Sequence, residues 1–138
     1  MCAKRVEEFT IWQLGVELRR MIIAVTERES FKRDIKLFHQ IRGAAASIPA
    51  NIAEGFARYS PAEFARFVRY ARGSAAELEV HLQDALERRH IMAAEHQTAT
   101  TLCRRIAAGS CSLLRYLAQS KAGEPKRHTR PRRSRNRA

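Results

Sequence analysis

Apolar residues return every three or four positions along nearly the whole chain and strand-type alternation is absent, a period that points to an all-α fold. Ile11, Leu14, Leu18, Ile22 and Val25 mark one face of a first helix, with Trp12 beside it. A short polar break, Glu27 to Arg33, follows. Ile35, Phe38, Ile41, Ala45, Ile48, Ile52 and Phe56 then trace a second face straight through Pro49, and Gly55 loosens its end. Ser60-Pro61-Ala62-Glu63 is a capping box with proline at the first helical position. It opens a third helix whose stripe is Phe64, Phe67, Val68, Ala71, Ala75, Leu78, Leu82 and Leu86. A fourth, from about Ala94 to Ser120, repeats the pattern with Leu102, Ile106, Gly109, Leu113 and Leu117. Four long helices joined by short turns are expected to form an antiparallel up-down-up-down four-helix bundle over residues 1–121.

Pro49 is the anomaly in this pattern. Inside a helix it deletes the hydrogen bond to the carbonyl of Ala45 and crowds it, at a cost of about 3 kcal/mol or more. The uninterrupted apolar face favours one kinked second helix over two helices, with neighbours holding the bend. Ser47, Asn51, Glu54 and Arg58 form a polar stripe beside that face, and Arg66, Tyr70, Gly73 and Glu77 form a similar one on the third helix. Ser47 or Asn51 is expected to cap backbone groups freed at the kink. Glu54 and Glu77 are expected to pair with Arg42, Arg58 or Arg66, because half-buried carboxylates are costly unless paired. Gly43-Ala44-Ala45-Ala46-Ser47 has no large side chain, so another helix, of the same bundle or of a neighbouring subunit, can approach closely there.

Charge divides the chain differently. The net charge is +12, and residues 122–138, AGEPKRHTRPRRSRNRA, carry seven Lys/Arg against one Glu. That segment has two prolines and no large apolar residue, so a disordered basic C-terminal tail is expected. Arginine-rich segments bind phosphate backbones by counterion release without reading sequence. A solubilising role is the plainer alternative.

Other chemistries find little footing. No apolar run is long enough to span a membrane, and MCAKRVEEFTIW lacks the apolar core of a secretion signal, so a cytoplasmic protein is expected. Cys2, Cys103 and Cys111 have no metal-ligand spacing, and Cys103 and Cys111 read as reduced thiols packed as small hydrophobes. His39, His81, His90, His96 and His128 are scattered, which argues against a metal site. No cofactor is implied. There is no glycine-rich phosphate loop or nucleophile elbow, no histidine falls at a spacing that would join Asn51, Glu54, Ser74 and Glu77 in catalysis, and an enzyme is not expected.

FTIWQ at Phe9–Gln13, QIRGAAASIPANIAEGFARYSPAEFARF at Gln40–Phe67 and ARGSAAELEVHL at Ala71–Leu82 resemble a four-helix-bundle protein family first recognised as open reading frames in bacterial 23S rRNA intervening sequences. The resemblance spans about residues 8–120. Gln40, Arg42, Ser47, Pro49, Asn51, Glu54 and Gly55, then Glu63, Phe64, Phe67, Gly73, Ser74, Glu77 and Leu78, match its pattern. It implies a small basic cytoplasmic homo-oligomer, a pentameric ring with a central channel. It also implies a distant link to accessory variability determinants of diversity-generating retroelements, which associate with a reverse transcriptase and nucleic acid. Two departures matter: Gly43 stands where the family has a second arginine, and the tail is longer and more arginine-rich.

Three functional readings follow. The first is a nucleic-acid-binding oligomer, with RNA favoured over DNA. Its binding residues are Arg58, Arg66, Arg69 and Arg72 at one end of the second and third helices, Arg104 and Arg105 on the fourth, and Lys126, Arg127, Arg130, Arg132, Arg133, Arg135 and Arg137 in the tail. Tyr59 and Tyr70 are candidates to stack on bases, the plainer alternative being ordinary surface or core residues. The second is an adaptor docking an acidic protein partner such as a reverse transcriptase. The third is a structural protein with no specific ligand.

Overall fold

A computed structural model describes residues 5–122. A 3₁₀ turn at Val6–Glu8 leads into five helices: α1 (Thr10–Thr26), α2 (Glu29–Arg33), α3 (Ile35–Ala57), α4 (Pro61–Glu87) and α5 (Ala93–Ala122), with no strand among the described residues. The tail from Gly123 onward, with the binding expected of Lys126 to Arg137, lies outside the described residues, as does Cys2.

The stripe read for the first helix is buried throughout: Ile11, Leu14, Leu18, Ile22 and Val25 all face the core. Burying a side chain of that size stabilises the fold by roughly 1.5–3 kcal/mol. At its last turn the buried Thr26 hydroxyl donates to the Ile22 carbonyl at 2.6 Å. The polar break is more than a break. It contains α2, and Phe31 within it is completely buried.

One helix runs through Pro49, which is itself buried. Two ends of the expected α3 stripe are corrected. Ile35 is 67% exposed and Leu37 is buried in its place, while Phe38 and Phe56 are only half-buried. Helical geometry explains the exchange, since Leu37 lies four residues before Ile41 and shares its face, whereas Ile35 lies six before it and points about 120° away. At the start of α4 the Ser60 hydroxyl accepts from the Glu63 backbone N–H at 3.4 Å, with Pro61 in the first turn. The Glu63 carboxylate turns to Arg66, 3.6 Å away, so the expected box forms from the Ser60 side.

Packing contacts close a cycle in which α1 meets α3, α3 meets α4, α4 meets α5 and α5 meets α1. Paired residues move in opposite directions along each pair of helices. Ser47 meets Ser74 and Asp34 meets Arg88 across α3 and α4. Across α4 and α5, Arg72 meets Cys111 and Glu79 meets Arg104. A methyl built on Gly109 of α5 would stand 2.6 Å from Ile11 Cγ2 on α1, while Arg28 just after α1 bonds Glu95 near the start of α5.

A polar clasp holds the end where α2, α3 and the α4–α5 turn converge. Asp34 is bonded to the His90 ring at 2.9 Å and to Arg88 at 3.0 Å, and the His90 ring lies 4.9 Å from that of Phe31. Arg28 grips both carboxylate oxygens of Glu95 and donates to the His90 carbonyl. No helix among the described residues is long and apolar enough to cross a membrane.

Candidate nucleic-acid interface

Helix α4 divides its charges between its two halves. From Pro61 to Gly73 it has Arg66, Arg69 and Arg72 against Glu63; from Ser74 to Glu87 it has Glu77, Glu79, Asp84 and Glu87 and no Lys or Arg. The positive end of a helix dipole stabilises acids, by about 0.3–1 kcal/mol per exposed charge within the first turn, and Glu63 occupies that turn. The arginines begin beyond it.

Toward α3, Arg66 and the neighbouring Arg58 sit over aromatic rings. The Arg58 guanidinium lies 5.0 Å from the centre of the Phe67 ring and is fixed by Glu54 at 2.8 Å. Arg66 lies 5.6 Å from the Tyr70 ring and donates from Nε to the Tyr70 hydroxyl at 2.9 Å. That bond, with Glu63 nearby, raises the Arg66 pKa further, so its charge is permanent. Phe9, Phe56 and Phe64 meet edge to face and give this corner a rigid base.

Arg69 and Arg72 continue the band toward α5. Both are exposed, and neither has an acidic partner among the described residues; Arg72 donates to the Cys111 sulfur at 3.4 Å. The register that sets Arg72 on Cys111 brings Arg115, one turn further along α5, to the level of Arg69. Sequence reading missed Arg115. Its signal was the eleven-residue step from Arg104, which returns to the same helix face. Arg104 and Arg105 lie on the other half of α5. Arg104 is matched by Glu79 at 3.2 Å, and Arg105 lines a shallow recess with Glu17, Gln97, Thr98 and Thr101.

The motif residues around Pro49 form a polar seam between α3 and α4. The Ser47 and Ser74 hydroxyls bond each other, and the Asn51 amide donates to the Ser47 carbonyl at 2.8 Å and its hydroxyl at 3.1 Å. Asn51 thus serves the carbonyl two residues before the proline, whereas the one Pro49 frees belongs to Ala45. Glu54 pairs with Arg58 as expected, but Glu77 is corrected: its partner is His81 at 3.2 Å, one turn along its own helix. Arg42 is engaged elsewhere, donating to Thr26 Oγ1 at 2.8 Å and to Glu27 at 2.6 Å, where it ties α3 to the end of α1.

Gly55 fits its close approach, since a methyl there would stand 2.6 Å from Phe67 Cβ. Gly73 and Gly43 face open space, with nothing within 4 Å of an added methyl. Cys103 is buried, as expected of a packed thiol; Cys111 is exposed beside Arg72, because its position on α5 faces outward. Among the described residues no cluster of three His, Cys, Asp or Glu side chains is arranged to hold a metal ion.

The model of one protein family, 23S rRNA-intervening sequence protein, matches residues 7–111, from the 3₁₀ turn to the Cys111 that contacts Arg72. No curated protein matches the chain.

Proposed function

The chain belongs to the 23S rRNA-intervening sequence protein family, and from that premise we propose that it is a non-enzymatic, homo-oligomeric nucleic-acid-binding protein that takes RNA in preference to DNA. Its scaffold is an up-down-up-down four-helix bundle bent at Pro49. The closed cycle of packing and the opposed residue pairs support that topology. It acts in the cytoplasm, where Cys103 and Cys111 remain free thiols.

The observation that carries the binding reading is the band of exposed arginines on the first half of α4, in which Arg69 and Arg72 lack acidic partners among the described residues. Exposed cations left without a counter-charge are suited to a polyanion. The α5 end that shares this region leads directly into the arginine-rich tail. Assembly of several copies would multiply the field and its salt dependence together. Support for assembly comes from Gly43 and Gly73, which leave open helix surface, and from the basic-then-acidic order along α4, which suits head-to-tail contact between copies.

Binding of the full chain and of a chain ending at Lys121 to structured RNA, single-stranded RNA and duplex DNA, at two salt concentrations, tests the reading. The truncated chain should still bind RNA, with the salt slope flatter by roughly 0.7–0.9 for each lost phosphate contact. Binding that disappears with the tail and shows no preference beforehand would reduce the helical body to a scaffold and direct attention to a protein partner. A solution mass equal to one 15.8 kDa chain would remove the oligomer.

A further inference from the structure

Helix α3 closes in left-handed backbone, as α4 does at Arg89, and its last N–H groups return to the carbonyls of Gly55 and Phe56. Tyr59, the residue after the α3 C-cap, has φ 54° and is 95% exposed. Left-handed backbone after a helix is the position where glycine is favoured, because a side chain there crowds its own carbonyl. Here it is occupied by one of the largest side chains, and its ring touches no aromatic ring or cation among the described residues. The backbone beneath the ring is anchored on both sides. Arg58 before it is tied to Glu54 and Phe67, and Ser60 after it caps α4. An exposed aromatic side chain on an anchored left-handed turn is suited to contact something outside the chain.

The surroundings narrow what that is. Arg58 and Arg66 are exposed, with their guanidinium groups over the rings of Phe67 and Tyr70, and Arg69 supplies a cation without an acidic partner among the described residues. Stacking aromatic and guanidinium planes combined with free cations serve bases and phosphates of an unpaired strand. Duplex bases are already stacked on one another and offer no free face to a protruding ring.

We propose that the Arg58–Ser60 turn is a stacking site for an unpaired base, with Arg66 and Arg69 taking the flanking phosphates, so that the preferred ligand is a looped or single-stranded segment. This deepens the nucleic-acid reading above and rests on it.

The test uses the full chain with hairpins carrying 2-aminopurine either in the loop or in the stem, in RNA and DNA versions, alongside a blunt duplex. The expected result is quenching at the loop position only and tighter binding of hairpins than of the duplex. Tyr59→Ala should abolish the quenching and weaken loop binding by about fivefold to a hundredfold while leaving duplex binding unchanged. Tyr59→Phe should retain both. Tyr59→Gly, which suits the backbone, should fold at least as stably yet lose the loop preference, separating stacking from structure. Equal binding of loop and duplex, indifferent to Tyr59, would overturn the stacking site and leave the nucleic-acid reading intact. Failure to bind any of the probes would overturn both. The RNA and DNA arms report whether the sugar matters.

Discussion

Gly15 of α1 lies directly against Pro49 of α3. A methyl built on Gly15 would stand 3.4 Å from the proline Cδ and nitrogen and 3.0 Å from Ile48 Cγ2. The missing side chain on one helix therefore accommodates the ring that the other carries, and the proline is covered by α1. The two positions should couple energetically. In a double-mutant cycle, Gly15→Ala and Pro49→Ala are expected to depart from additivity by about 0.5 kcal/mol or more, as residues in contact do. Strict additivity in denaturant titrations would show that α1 does not hold the proline.

Glycines in this chain fall into two groups with opposite predicted responses. Gly55→Ala forces a methyl to 2.6 Å from Phe67 Cβ and 3.3 Å from the Phe64 carbonyl, so it should destabilise the fold by about 1–3 kcal/mol. Gly43→Ala and Gly73→Ala meet open space within helices and should each stabilise the subunit by about 0.5–1 kcal/mol. Thermal melts of the three variants check the order. A loss of stability at Gly73 that grows with protein concentration would locate a subunit contact there.

Most of the helical framework was legible because its signals are local and repeated. The α1 stripe and the Ser60-Pro61 start needed only period and cap chemistry, and Pro49 inside an unbroken stripe indicated one helix. Phe31 escaped because a single apolar residue in a five-residue helix has no period to reveal it. The partner of Arg104 escaped for another reason, since which acid it meets depends on inter-helix register, as Glu79 shows. Glu77 meets His81 one turn along its own helix, a spacing already present in the sequence. The arginine band was legible as composition; that Arg69 and Arg72 lack acidic partners among the described residues became visible only in three dimensions.

Acid should loosen the clasp between α3 and the α4–α5 turn. The bond to His90, followed by the Arg88 guanidinium, holds the Asp34 carboxyl below its ordinary range, and Arg28 does the same for Glu95, helped by the Met92 backbone N–H. A carboxyl whose folded pKa lies below its unfolded value stabilises the fold above the unfolded value and loses that contribution as pH falls through the folded one. The loss should begin below about pH 4. Asp34→Asn should lower stability at neutral pH and flatten the acid limb of a melting-temperature profile. An unchanged acid limb would show that the clasp carries no pH dependence.

The two described cysteines should separate cleanly by reactivity. Burial, reinforced by the nearby Glu79 charge, pushes the Cys103 thiol up to about 12, whereas Cys111 is exposed at 3.4 Å from Arg72. Only a thiolate attacks a labelling reagent, so Cys103 should stay unreacted in the folded protein. In a Cys2→Ser background, mass spectrometry at neutral pH should find one label on the folded chain, at Cys111, and two after denaturation. Early labelling of Cys103 would mean that α5 opens locally.

If the start of α4 faces nucleic acid, arginines there should register in the salt dependence of binding and Arg104 should not. Arg69→Ala removes a cation with no acidic partner among the described residues, and each lost phosphate contact flattens the slope of log K against log salt by roughly 0.7–0.9. Arg66→Ala should flatten it less, because Glu63 at 3.6 Å already offsets part of its charge. Arg104→Ala frees Glu79 as it removes the cation, and that pair sits half an α4 length from the band. It should leave the slope unchanged and weaken binding only slightly. Slopes measured for the three variants on a single RNA hairpin decide the matter: equal flattening by all three would mean a diffuse field around the bundle, and flattening by Arg66 and Arg69 alone would place the contact at the start of α4.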